Sequence, residues 1–161
     1  MVALVAAFFI YLNLGVTFMN QQPAKQPGYA WASPYLIVSD VAKAQAFYKD
    51  AFQLKTGDPM VGDDGVANHA ELRYHDSTMM IGKEGNYGGT LKTPKSSGVE
   101  SPIILYLYCE NVDQFYKHAV AAGAKSLLEP ADMFWGDRMC ALQDLDGYTW
   151  NFATFLGTNP K

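Results

Sequence analysis

Charge, cysteine and histidine are all scarce in this chain, and each scarcity removes a class of function. Only 17% of the residues are charged, the net charge is −4 and no run of Lys or Arg occurs, so there is no basic track for nucleic-acid phosphates. A nucleic-acid partner is not expected. The two cysteines, Cys109 and Cys140, lie far apart and fit no CxxC pattern, which argues against a disulfide framework or a zinc knuckle. They read as small apolar residues in a reducing, cytoplasmic setting. "GNYGG" lacks the spacing of a dinucleotide loop, no P-loop occurs, and no GxSxG nucleophile elbow is found. No cofactor is therefore expected.

What the chain does have is apolar residues, 49% of its 161, enough for one core and one domain. Its first stretch, "MVALVAAFFIYLNLGVTFM", carries no charge and sits at the lower edge of the roughly 17–25 residues that span a bilayer. Three readings fit: a membrane anchor over residues 1–18, an extra element docked on the domain, or sequence upstream of a start at Met19. The polar lead "NQQPAKQPG" that follows Met19 favours the last.

From Trp31 the signals alternate. "WASPYLIV" reads as a strand; Asp40 caps a helix whose apolar residues Val41, Ala44, Phe47, Tyr48, Ala51 and Phe52 share one face. Short strands follow around Pro59 to Val61, in "ANHAELRY" and in "STMMIG", separated by "GDDG" and "HDS" turns. Residues 85–100, rich in Gly, Ser and Thr, have no period and read as a linker or mobile loop. The pattern then restarts: "SPIILYLYC" is a strand, Asn111 caps a helix through Val112, Phe115, Tyr116, Ala119 and Val120, and three strands close the chain, the last two joined at "DLDG". Ser33-Pro34 and Phe47-Tyr48-Lys49 recur 68 residues later as Ser101-Pro102 and Phe115-Tyr116-Lys117. The order β-α-β-β-β thus occurs twice, an internal duplication.

The doubled βαβββ unit, "FYKDAFQLK" and the closing "DLDGYTW" resemble the vicinal oxygen chelate superfamily, with "SPYLIVSD", "HAELRYHDSTMMI" and "ADMFWGDRMCALQDLDGYTWNFAT" similar to its PhnB-like, glyoxalase/bleomycin-resistance branch. Leu145 stands where that branch usually has Pro. The resemblance implies an α+β fold in which two βαβββ modules, 31–84 and 101–156, curl mixed sheets into a cup with helices outside, flanked by an extension at 1–30 and a tail at 157–161. It also implies four ligand positions, one each on the first, fourth, fifth and eighth strands, commonly His, Glu, His and Glu. Transferred by motif these fall at Ser33, Met80, Ile104 and Asn151, a set that offers a divalent ion no strong donor. No metal is therefore expected.

Strand alternation assigns faces. Ser33, Tyr35 and Ile37 should face the cup, as should Ile104, Tyr106 and Tyr108, then Thr149, Asn151 and Ala153; Tyr148, Trp150 and Phe152 should lie under the helices. In "HAELRYHD" the apolar Ala70, Leu72 and Tyr74 should pack under a helix, leaving His69, Glu71, Arg73 and His75 on the other side. Those four are either a solvated face with a salt bridge across it, or a site with Arg73 as an anion clamp and Glu71 or His69 as a hydrogen-bonding or proton-transfer group. A metal held by His69, Glu71 and His75 is ruled out, since they span about 20 Å along one strand. Trp135 and Arg138 of "FWGDR" read as a stacking lid and anion contact, or as a rim aromatic and a surface charge paired with Asp137. His118 reads as a helix-face residue.

Three functions follow as expectations. The first is a metal-independent binder of a small organic molecule, with an aromatic cup and Arg and carboxylate contacts; the resemblance also implies a homodimer. The second is a glyoxalase-type lyase or isomerase using Glu71, or a metal held by residues other than the four transferred positions; the third is an accessory domain tethered to a membrane by residues 1–18.

Overall fold

The computed structural model describes residues 23–157; the N-terminal apolar stretch and its anchor and start-site readings lie outside them. Two βαβββ modules are present, the first with its second strand broken into two short pieces that both pair with the next strand. The first comprises β1 (Tyr35–Val38), α1 (Val41–Phe52), β2 (Lys55–Thr56), β3 (Met60–Val61), β4 (Ala67–Tyr74) and β5 (Ser77–Lys83). The second comprises β6 (Leu105–Tyr108), α3 (Val112–Ala121), β7 (Lys125–Asp132), β8 (Asp137–Gln143) and β9 (Thr149–Phe155). Each forms its own mixed sheet, ordered β1-β5-β4-β2 with β3 beside β4, and β6-β9-β8-β7. In both, the first strand runs parallel to the last and the remaining neighbours are antiparallel.

The helices start where side-chain acceptors meet their free N–H groups: Asp40 accepts from Lys43 N and Asn111 from Gln114 N. The apolar face of α1 is buried at all six expected positions. On α3 only Val112, Phe115 and Ala119 are fully buried, while Tyr116 reaches across to Ser126 Oγ at 2.8 Å and Val120 stays partly exposed. His118 joins the helices, its Nε2 donating to Asp50 O at 2.6 Å.

The stretch read as a linker holds a short helix, α2 (Pro94–Ser97), capped by the buried Thr93. It is tied to both modules, Lys95 N donating to Asp146 O and Ser96 Oγ to Glu84 Oε2. Four helical residues are too few to show a period.

Both modules share one core. α1 covers β4, β5 and β2, α3 covers β7, β8 and β9, and the two helices lie against each other. The helices thus sit between the sheets. Phe52 is the seam, its ring 6.4 Å from Phe115, 5.2 Å from Trp150 and 5.0 Å from Phe152. Asp144 pins it, accepting from Tyr48 at 2.7 Å and Trp150 Nε1 at 2.8 Å. Burial holds the Asp144 carboxyl above its ordinary value, against these hydrogen bonds, which pull it down. Among the described residues no helix is long and apolar enough to cross a membrane.

Candidate functional site

Because the helices occupy the inner face of each sheet, the side chains on the outer faces are the ones open to a ligand. The expected alternation holds on β1, β6 and β9: Leu36, Val38, Leu105, Trp150 and Phe152 are buried toward the helices, while Tyr35, Tyr106 and Tyr108 point outward at 49%, 40% and 55% exposure. Within one chain the outer faces point away from each other, so the residues expected round a single cup line two separate surfaces.

The first surface is polar. Met80 lies in register between Tyr35 and Glu71, and Gly82 between Ile37 and His69. Gly82 is required there: a Cβ would run into the Tyr35 ring, which leans over the strand to bring its hydroxyl within 3.1 Å of His69 Nδ1. Arg73 is engaged within the chain, donating to Glu71 Oε2 at 3.4 Å and Gly28 O at 3.3 Å while stacking 5.3 Å from the Tyr29 ring. The lead at Gly28 and Tyr29 thus folds onto this face, which the sequence reading left outside the site.

The second surface is aromatic and is organised by a residue that reading placed with the surface charges. Asp137, only 3% exposed, receives three hydrogen bonds on one oxygen, Oδ2: from Tyr106 at 2.7 Å, Tyr108 at 3.0 Å and Trp135 Nε1 at 3.1 Å. Burial and donation to Asp137 push the Tyr106 phenol up to about 12. Donation to Asp137 raises that of Tyr108 as well. Trp135 stands on the turn before β8, which Gly136 permits with φ of 100° and no room for a side chain against the Gly157 carbonyl. Asn151 lies beneath, in register with Tyr106 and Ala141.

Arg138, expected as an anion contact, faces the other way. Its β8 neighbours Cys140 and Leu142 are buried toward the helices, and on that side Asp113 of α3 takes its guanidinium at 2.7 and 2.8 Å while Asp132 takes it at 2.7 Å. Two carboxylates thus hold its guanidinium on the side away from the aromatic face.

The four family ligand positions fall two to a sheet. Pro34, next to Ser33, accepts from Met80 N at 2.9 Å, and Ile104 precedes the strand that pairs with Asn151. A hydroxyl, a thioether, an alkyl group and an amide do not fit a divalent ion. Among the described residues no three of His, Cys, Asp or Glu gather as a metal site. Both cysteines are free thiols, with Cys140 buried and raised to about 11 by desolvation.

Two back-to-back βαβββ modules, each with one open face, define the protein as a paired-module fold. The chain belongs to the glyoxalase/bleomycin resistance protein/dioxygenase superfamily, whose model matches residues 29–152. An uncharacterised protein of Mycobacterium bovis is 35% identical over 123 residues, 75% of this chain and 80% of that relative. An uncharacterised protein of Mycobacterium tuberculosis has the same identity, over 72% of its length. Among solved structures, TioX from Micromonospora sp. ML1 aligns with TM-score 0.61 and 22% identity, over 78% of this chain and 99% of that one. A glyoxalase/bleomycin resistance protein/dioxygenase from Nocardioides aligns with TM-score 0.61 and 15% identity, over 85% and 90%. At these identities the structures share the fold.

Proposed function

We propose that this chain binds a small organic molecule without a metal or cofactor, in the manner of the superfamily's binding members rather than its lyases, and that a second copy closes the site. The observation that carries the reading is the aromatic surface of Tyr106, Tyr108 and Trp135 fixed on a buried carboxylate, suited to a flat, partly apolar ligand. Around it Ile104, Leu128 and Phe155 are exposed, apolar area that a monomer rarely leaves open. The polar first-module face of a partner would form the opposite wall, with Tyr35, His69, Met80 and Arg73. The free thiols agree with a cytoplasmic site of action, and the sequence likeness to the PhnB-like branch agrees with a binding or sequestering role.

Native mass spectrometry of the protein purified without added ligand tests this. A co-purifying organic mass is expected, lost in Trp135→Ala while the fold is retained. A protein that carries no organic mass and binds nothing from a panel of aromatic small molecules overturns the reading.

One contact favours a second reading. Tyr35 and His69 are hydrogen-bonded beside Glu71, an arrangement able to move a proton in a glyoxalase-type lyase or isomerase. Turnover of an α-keto aldehyde–thiol adduct that falls at least a hundredfold in Glu71→Gln would support it over simple binding; no turnover would remove it.

A further inference from the structure

Asp137 presents an electrostatic imbalance. It is almost wholly buried, yet among the described residues no Lys, Arg or His forms an ion pair with it. The adjacent Arg138 is held on the opposite side of β8 by Asp113 and Asp132. Buried charges are ordinarily paired with an opposite charge. Among the described residues its partners are three neutral donors, and all three act on Oδ2. No side-chain oxygen fully shielded from solvent lacks a partner among the described residues, so Oδ1, which takes none of these bonds, keeps contact with solvent.

The donors themselves matter as much as the acceptor. A phenol or indole that hydrogen-bonds to a carboxylate has electron density pushed into its ring, because hydrogen bonds polarise the groups that make them. Tyr106 and Tyr108 stand 5.6 Å apart at 65°, and Trp135 projects beside them with about half of its surface exposed. The two hydroxyls and the indole N–H are tied to the same oxygen, so the rings meet a ligand with the surface they leave exposed. Electron-rich ring faces around an unneutralised carboxylate attract a cation with apolar substituents, and this chain's net charge of −4 adds to the attraction.

We propose that Asp137, Tyr106, Tyr108 and Trp135 form a cation-selective subsite, and that the organic molecule bound by the second module carries a quaternary or alkylated ammonium group there. This rests on the small-molecule-binding reading above and specifies the chemistry of its ligand. An anionic ligand is disfavoured by the same carboxylate.

The test needs no knowledge of the natural ligand. The intact protein is titrated with choline and, separately, with 3,3-dimethylbutan-1-ol, which has the same shape without the charge, while the Trp135 indole N–H resonance is followed by NMR. Saturable shifts with choline at millimolar concentration are expected, with the neutral alcohol at least tenfold weaker. Asp137→Asn should lower choline affinity at least tenfold. Should that variant fail to fold, Tyr108→Phe, which keeps the ring and removes the hydrogen bond, should lower it about threefold. Equal affinity for the alcohol, or no saturable shift with choline, overturns the cation subsite. The binding reading fails separately, since a neutral or anionic co-purifying molecule in native mass spectra would leave it standing while refuting the subsite.

Discussion

Truncating Phe52 to alanine should damage both modules at once. The ring is fully buried at the end of α1, and it touches α3 through Phe115 and the second sheet through Trp150 and Phe152, as well as Phe47 and Tyr48 of its own helix. Those neighbours belong to three different elements that are fixed by their own hydrogen bonds, so they are poorly placed to collapse into the space. A Phe→Ala change at such a site costs about 3–5 kcal/mol, and a whole domain of this kind has only about 5–15 kcal/mol to lose. At about 3 °C per kcal/mol the midpoint should fall by about 10–15 °C. Urea unfolding followed by far-UV circular dichroism and by tryptophan emission provides the assay, with Trp150 reporting from within the seam. Both probes should shift together to a lower midpoint with an unchanged slope. A loss under about 1 kcal/mol, or two transitions of which only the first-module one moves, would refute a core shared across the helices.

Removing the Tyr48 hydroxyl with Tyr48→Phe leaves the buried Asp144 one donor short, and chemical denaturation should show a loss of about 1–3 kcal/mol. Gly82→Val should push Tyr35 off β5 and abolish ring-to-ring NMR cross-peaks with His69, at a cost of about 1–3 kcal/mol. Arg138→Met should lower stability in a pH-dependent way, for the following reason. Hydrogen bonding and charge from Arg138 hold the folded Asp113 carboxyl below its ordinary 3.8, so its stabilising contribution is complete above that value and fades as pH falls through the lower folded one. The gap between wild type and variant, measured by urea midpoints, should therefore be constant from neutral pH to about pH 5 and shrink below about pH 4. A gap that stays constant to about pH 2 would contradict the assignment.

Legibility in the sequence depended on contrast within each strand. On β9 the alternation of aromatic residues with smaller or polar ones is sharp, and the inward positions of Trp150 and Phe152 could be read directly, whereas β1 is aromatic or branched throughout and its facing came from the ligand position that the resemblance puts at Ser33. On β8 the run Met139, Cys140, Ala141, Leu142 is apolar throughout, so no parity could be read and the sides of Asp137 and Arg138 stayed ambiguous. That ambiguity hid the residue on which the aromatic face is built. β2, with two residues, is below any periodic signal. The repeat announced two modules, but nothing local encodes how they pack, because the seam joins Phe52 to Phe115, Trp150 and Phe152, positions far apart in the chain.

That packing also bears on how a site is completed. With the helices between the sheets, the aromatic face of the second module and the polar face of the first cannot meet within one chain, yet they are complementary in kind, one carrying aromatic rings about Asp137 and the other the polar groups of Tyr35, His69 and Glu71. In the twofold dimer proposed above, each chain would present its first face to the partner's second, and two equal sites would close together. Placing a charge in the apolar rim should separate the copies: Leu128→Glu with Phe155→Glu, both on exposed positions of the open face, should give a monomer by sedimentation equilibrium with circular dichroism unchanged. If the site needs both walls, the same variant should also lose any co-purifying molecule, and the unmodified protein should hold two per dimer. A monomeric variant that retains its ligand at full occupancy would show that the second module binds alone.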